Sequence, residues 1–187
     1  ARLIKHKQIP FRHLEPIRPF GALAIYTGAG NIFGATGGVM EAALRTVTEV
    51  LEGKSTPVEF QELRGNKDIK EATYQVKGKD INVAVVHGGK AIKTFLENLK
   101  TGKKDYHFVE FMGCTGGCIN GGGQPIVPAK LFEKNDVRSL RASVLYGIDK
   151  KAPMRKSHEN PSVTKLYETF LEKPNSHISH ELLHTHY

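Results

Sequence analysis

Glu110-Phe-Met-Gly-Cys-Thr-Gly-Gly-Cys-Ile-Asn-Gly-Gly-Gly-Gln-Pro125 contains both cysteines of the chain and a third of its glycines. Cys114 and Cys118 are four positions apart, a spacing that on a helical or turn-like segment brings two sulfurs to one side, able to reach one object. A thioredoxin-like redox pair would have the closer Cys-x-x-Cys spacing. The flanking glycines remove side chains where a backbone must pass close to something bulky, and leave amide N–H groups free to point at it. Anionic iron–sulfur clusters want such surroundings, because hydrogen bonds to sulfur and a small dry cavity set their potential. At this level two other readings stay open: small apolar side chains in a glycine-rich turn, or a dithiol–disulfide switch.

Towards the N-terminus, Tyr106 to Phe111 reads as a strand running straight into this segment. Before it, Ile92, Phe95, Leu96 and Leu99 follow helical spacing, after Gly88 and Gly89 end an apolar strand over Ile81 to Val86. Lys77-Gly78-Lys79-Asp80 reads as a hairpin turn between that strand and an earlier one carrying Ala72, Tyr74 and Val76. Val58 and Phe60 give a further strand-like alternation. Strand, helix, strand is the rhythm of an α/β layer. Further upstream, Met40, Ala43, Leu44, Val47 and Leu51 form one apolar helix face, expected to be core, which Gly53 terminates. That helix follows the glycine-rich stretch Gly28 to Gly38, itself approached by the short apolar run Gly21 to Tyr26.

Towards the C-terminus the pattern is helical. Val137, Leu140, Val144 and Leu145 make one stripe; Val163, Leu166, Tyr167, Phe170 and Leu171 make another, opened by Asn160-Pro161 and closed by Pro174. Ser176 is placed to cap a last short helix through Leu183. The expected architecture is α/β: a twisted sheet lobe flanked by helices, residues 1–151, with a helical C-terminal tail, residues 152–187.

The chain has 187 residues, 39% hydrophobic and 25% charged, a length and balance that suit one domain and exclude a disordered or collagen-like chain. No apolar run approaches the roughly 18 residues of a membrane span. Two cysteines cannot form a disulfide framework, nor alone hold a cluster that needs four thiolates, so any cysteine metal site is partial. The net charge of +8 is spread over the first twenty residues, Lys100 to Lys104 and Lys150 to Lys156. No aromatic ladder or concentrated basic helix accompanies it, which disfavours nucleic acid; an acidic protein partner fits a basic surface equally well. The sequence opens Ala-Arg-Leu-Ile with no signal peptide, and Ala1 is not expected to be a natural domain edge. The expected compartment is the cytoplasm, with the periplasm as the alternative.

Three decoys can be set aside. Gly53-Lys54-Ser55-Thr56 resembles the end of a phosphate-binding loop, but the glycine required five positions earlier is Thr48 and the segment follows a helix. Gly28 to Gly38 departs from the dinucleotide fingerprint and lacks a ribose-binding acid about twenty positions on. His177, His180 and His184 share a helix face, but no carboxylate or cysteine is placed for zinc, and surface or docking histidines are the better reading. Glu110, beside the cysteines, is read as a structural carboxylate bonded to backbone amides of the glycine turn, with acid–base work as the alternative.

Glu110-x-Met112-x-Cys114-x-x-Gly117-Cys118-x-x-Gly-Gly-Gly-Gln124-Pro125 resembles the last of the three signature motifs of the iron-only (di-iron) hydrogenases. Thr27 to Arg45, Val137-Arg-x-x-Arg-Ala-Ser-Val-Leu-Tyr146 and Arg155-Lys-Ser-His-Glu-Asn-Pro-Ser162 agree with it. The closing Ser176 to Tyr187 is similar to the tail that many bacterial members carry, in some on a separate small subunit. The resemblance implies the C-terminal lobe of the catalytic domain followed by a small-subunit-like tail. In that family a 4Fe-4S cluster held by four cysteines is bridged to a two-iron subcluster carrying CO, cyanide and an azadithiolate, together the H-cluster, which interconverts protons and electrons with hydrogen. Carried over residue by residue, Cys114 is a ligand of the four-iron cluster, and Cys118 a ligand that also bridges to the subcluster. Met112 lies near the subcluster, and Phe33, Gly34 and Val39 line its pocket.

The first two family motifs, and the cysteine that relays protons, are not in these residues. The resemblance therefore implies that the remaining half of the catalytic domain, on the same or a separate chain, supplies the other cysteines. An acidic electron carrier such as ferredoxin, or an electron-transfer subunit, is the expected redox partner. Phe111, Gly113 and Thr115 replace commoner choices within the motif. The alternative is a hydrogenase-like iron–sulfur assembly or sensor protein that lacks the two-iron subcluster.

Overall fold

A computed structural model describes residues 2–17, 21, 25–54, 58–102 and 104–185. The glycine at 53 falls within them, whereas most of the apolar run from 21 to 26 and part of the phosphate-loop decoy lie outside the described residues. Helix α1 (Arg2–His6) precedes α2 (Gly28–Ile32) and the long α3 (Gly38–Glu52). Strands β1 (Ile69–Val76) and β2 (Lys79–His87) lead to α4 (Gly89–Lys100) and β3 (Phe108–Met112). Beyond the cysteine segment come α5 (Ala129–Lys134), α6 (Val137–Lys151), α7 (Pro161–Leu166), running on into a π-helical turn, and α8 (His177–Leu183).

The sheet has order β1-β2-β3. The hairpin is closed by Lys77 and Gly78, both at positive φ, which lets Val76 face Lys79 directly. Strands β2 and β3 are parallel, Val83 opposite Phe108 through His87 opposite Met112, with α4 as the crossover between them. Strand β2 reads as a continuous apolar run because both of its faces are covered: Val83 and Val85 pack with Met40, Leu44, Phe60 and Leu63, whereas Ala84 and Val86 pack with Phe95. The α/β layer expected from the sequence is thus present, as a small three-stranded sheet with helices on both faces.

Two local expectations are corrected. Val58 and Phe60 are not in a strand; the chain there leads into a 3-10 turn over Gln61–Leu63 that inserts Phe60 and Leu63 into the core. The buried face of α3 is also rotated from the apolar stripe: Val47 and Leu51 are exposed, while Glu41, Arg45 and Thr48 are buried beside Met40 and Leu44. On α6, likewise, Leu140 and Val144 are exposed and Asp149 is fully buried. These departures have one cause. Arg45 donates to both oxygens of Asp149 (2.7 and 2.8 Å), to Glu41 (2.8 Å) and to the carbonyl of Arg155 (2.9 Å). Arg64 closes on Glu41 (2.6 and 2.9 Å) and Arg155 on Asp149 (2.6 Å). Buried charges of this kind are tolerated only when paired and hydrogen-bonded. The network fastens α6 and the tail to α3.

The capping signals of the tail hold. Asn160 accepts from the Ser162 amide with Pro161 in the first turn of α7, and Ser176 accepts from the Ser179 amide at the start of α8. Asn160 also donates to the carbonyl of Ile25 (2.7 Å), and the Gly28 amide donates to the carbonyl of Met154 (2.7 Å), so the tail is stitched to the first glycine-rich segment.

Candidate metal centre

The two glycine-rich segments, about eighty residues apart in sequence, meet as one backbone structure. The Thr36 amide donates to the carbonyl of Gly116, and the Ile119 amide donates to the carbonyl of Gly34, both at 3.1 Å. Gly117 sits at φ +94°, and a Cβ there would stand 2.7 Å from the Gly34 oxygen and 2.8 Å from the Thr36 nitrogen, so glycine is required both by conformation and by contact. A Cβ on Gly34 would in turn stand 2.9 Å from Leu145 on α6.

The sheet anchors this pair of loops from below. Lys70 on β1, Val85 on β2 and Glu110 on β3 are cross-strand partners and share the face towards α3. Glu110, buried, accepts from the amides of Gly37 (2.7 Å) and Met40 (2.8 Å). It therefore satisfies two orphan donors of α3 at the positive end of that helix. The structural role expected of Glu110 is the one observed, and the amides it binds belong to the first glycine segment. Lys70, 4% exposed, donates to the Thr36 carbonyl (3.2 Å) and the Gly65 carbonyl (3.1 Å). Burial pushes its pKa down to about 8, opposed by the negative charge of Glu110.

His87, 1% exposed at the end of β2, accepts the Gly116 amide at its Nδ1 (3.2 Å). Burial first, and the positive charge of Lys70 second, lower its pKa, which favours the neutral ring that this bond requires. From the other side Arg141 of α6 donates to the carbonyls of Ile119 and Pro125, both at 2.9 Å. The cysteine segment is thus held at its middle by β2 and the first glycine segment, and at its far end by α6.

On this scaffold Cys114 and Cys118 are both free and both exposed. Cys114 follows β3 directly, and Cys118 opens a 3-10 turn through Asn120. Met112, half-buried, ends β3; Phe33, 44% exposed, stands next to Gly34; Val39 is half-buried in the first turn of α3. Of the residues expected to line a cofactor pocket, Gly34 is the one brought into direct hydrogen-bond contact with the cysteine segment. A cavity of about 470 Å³ lies behind that segment, between α6 and residues 59–66, with Thr36, Arg64, Gly116, Ile119, Ser143 and Tyr146 in its wall. Its wall includes neither cysteine, nor Phe33, Val39 or Met112, so it is not the cofactor pocket.

The donor set fits half of an iron–sulfur ligation. Two thiolates project from a segment stripped of side chains on both flanks, and nothing lies within 4 Å of a Cβ placed on Gly113, Gly122 or Gly123. Sequence reasoning missed His87, Lys70 and Arg45. Each is a polar residue at a position whose burial depends on a distant partner, and Arg141 appeared only as one letter of a motif. The rings of His180 and His184 stack at 4.2 Å, and a candidate metal-ligating group, among the described residues, joins Glu49, His158 and Glu159. In that group Glu49 is already paired with Lys156 and His158.

Comparison with known proteins agrees with this geometry. Residues 1–122 match the family described as iron only hydrogenase large subunit, C-terminal domain, and residues 135–187 match the iron hydrogenase small subunit family. The chain is 45% identical over 188 residues to iron hydrogenase 1 of Clostridium pasteurianum, covering 100% of this chain and 33% of that protein. It is 32% identical over 195 residues to cytosolic iron-sulfur assembly component 3 of Rattus norvegicus, covering 100% of this chain and 39% of that one. Among solved structures, a variant of the [FeFe]-hydrogenase HydA1 from Chlamydomonas reinhardtii superposes with a TM-score of 0.72 at 34% identity, over 100% of this chain and 53% of that one. The chain therefore spans about a third of the length of the relatives it matches.

Proposed function

This chain belongs to the iron-only hydrogenase family, as the C-terminal part of the large subunit, and on that premise we propose that it forms half of a catalytic domain interconverting protons and electrons with molecular hydrogen. The observation that carries the reading is the pair of free, exposed thiols Cys114 and Cys118 on a segment otherwise fastened at every side. Cys114 and Cys118 would be ligands of a four-iron cluster, Cys118 also bridging to the two-iron subcluster. When bound, that cofactor supplies the electron storage and the hydrogen chemistry.

This chain's own part is ligation and shape. Its glycines admit a bulky inorganic group close to backbone, and the Lys70–Glu110 row keeps the first glycine segment seated against the second. Met112, Phe33, Gly34 and Val39 are assigned to the wall facing the subcluster, where apolar side chains keep water out. The remaining cysteines and the proton relay come from the other half of the catalytic domain. The basic surface suits an acidic ferredoxin-type carrier or an electron-transfer subunit, through long-range attraction. No helix among the described residues is long and apolar enough to cross a membrane.

The similarity to a cytosolic iron-sulfur assembly component over the whole chain favours a second reading, in which the four-iron cluster is kept and the two-iron subcluster is not. Infrared spectroscopy of the full-length matured protein, with iron analysis, separates the two. CO and cyanide stretching bands are expected. Iron without those bands would favour the assembly reading, and a matured sample without iron would overturn both.

A further inference from the structure

The cysteine segment has an unequal distribution of support. Its first half is tied to β2 and to the first glycine segment through Gly116, Gly117 and Ile119. Its second half, from Asn120 to Pro125, contains Gly121, Gly122 and Gly123, and positions 122 and 123 have no atom within 4 Å of a would-be Cβ. Such a stretch has no side-chain packing to hold it and pays the full entropy of glycine on ordering. What fastens it is one guanidinium: Arg141 reaches the carbonyl at each end, Ile119 and Pro125, at 2.9 Å. Two charge-assisted bonds from a rigid planar fork fix both distance and angle, which a single ammonium cannot do.

Arg141 belongs to the segment that matches the small subunit family, whereas both cysteines belong to the segment that matches the large subunit. We propose that Arg141 is a positioning residue for Cys118, so that the small-subunit-like segment, which offers no thiolate, sets how the bridging cysteine is presented. Cys118 is one residue from Ile119, and its turn ends where the Gly121 amide donates to the Cys118 carbonyl (3.0 Å). Releasing Ile119 and Pro125 releases that turn. The neighbouring Arg138 adds packing: its Cδ would stand 2.9 Å from a Cβ on Gly116. The clamp is independent of any metal, while its consequence for a cluster rests on the hydrogenase reading.

The test uses the full-length protein with Arg141→Lys, Arg141→Met and, as a charge control on the same helix, the exposed Lys151→Met. Hydrogen exchange of the iron-free protein is expected to show the amides of residues 117–126 exchanging at least tenfold faster in both Arg141 variants, with β2 and α3 unchanged and Lys151→Met matching the wild type. After iron loading, the electron paramagnetic resonance spectrum of the four-iron cluster is expected to change in both Arg141 variants. The midpoint potential is expected to fall in Arg141→Met, which removes a positive charge near the cluster, and to stay close to wild type in Arg141→Lys. Unchanged exchange overturns the clamp. Faster exchange with an unaltered spectrum and potential reduces Arg141 to loop packing and overturns the positioning role. If Arg141→Met loses protection everywhere, Arg141→Lys decides. A wild type that takes up no iron overturns the hydrogenase reading, and the exchange comparison still decides the clamp.

Discussion

Lys70 and Glu110, on the two outer strands, face the same glycine turn across Val85, one holding the Thr36 carbonyl and the other the Gly37 amide. The turn that receives the cysteine segment is thus gripped by opposite charges on its acceptor and donor sides. That arrangement explains how a sheet of three strands, with no catalytic group of its own, controls the metal-binding surface.

Replacing Glu110 by Gln is expected to destabilise the protein by about 1–3 kcal/mol, because the amide end of Gln would meet an N–H donor and the charge at the start of α3 would be lost. Denaturant unfolding of the variant checks this. A midpoint equal to wild type would show that the two amides find other acceptors.

Lys70 gives a pH dependence of defined sign. Its folded pKa of about 8 lies below the ordinary lysine value of 10.5, so between those values the unfolded chain binds more protons and stability rises with pH. From pH 8 to 9.5, below the range in which unfolded tyrosines ionise, the gain is expected to be about 2 kcal/mol. Lys70→Met is expected to flatten that slope, as read by denaturant midpoints at each pH.

Gly117→Ala is expected to cost at least about 2 kcal/mol, combining positive-φ strain with a Cβ driven into the Gly34–Thr36 backbone. Gly123→Ala, with open space around it, is expected to stay within about 0.5 kcal/mol of wild type. Thermal unfolding of the two variants side by side distinguishes the glycine that joins the loops from one that leaves room.

Asp149→Asn leaves Arg45 buried with a single carboxylate partner and is expected to cost about 3–5 kcal/mol. The tail is expected to loosen first, because Arg155 loses the same partner. Limited proteolysis should then cut between 152 and 160 more rapidly than in wild type, and equal cutting rates would remove Asp149 from the docking of the tail.

Cys114→Ser and Cys118→Ser are expected to leave the iron-free fold within about 0.5 kcal/mol of wild type, since both side chains are exposed. Each should abolish the iron–sulfur absorption of the reconstituted full-length protein. Full retention of iron by either variant would remove that residue from the ligand set.

Much of the local structure was legible in the residues themselves. The Lys77-Gly78 turn, the strand–helix–strand unit from Ile81 to Phe111, the Asn160-Pro161 and Ser176 helix starts, and the end of α3 at Gly53 all follow from rules spanning a few residues. The cysteine–glycine segment likewise carries its chemistry in its own letters, because ligand type and missing side chains are local properties. Tertiary structure alone decided which face of α3 is buried, which amides Glu110 serves, and that His87 and Arg141 hold the cysteine segment. Hydropathy places Arg45 in water. It is buried because Asp149, 104 positions later, arrives to neutralise it, and the energy of that pairing exists only once the chain has folded.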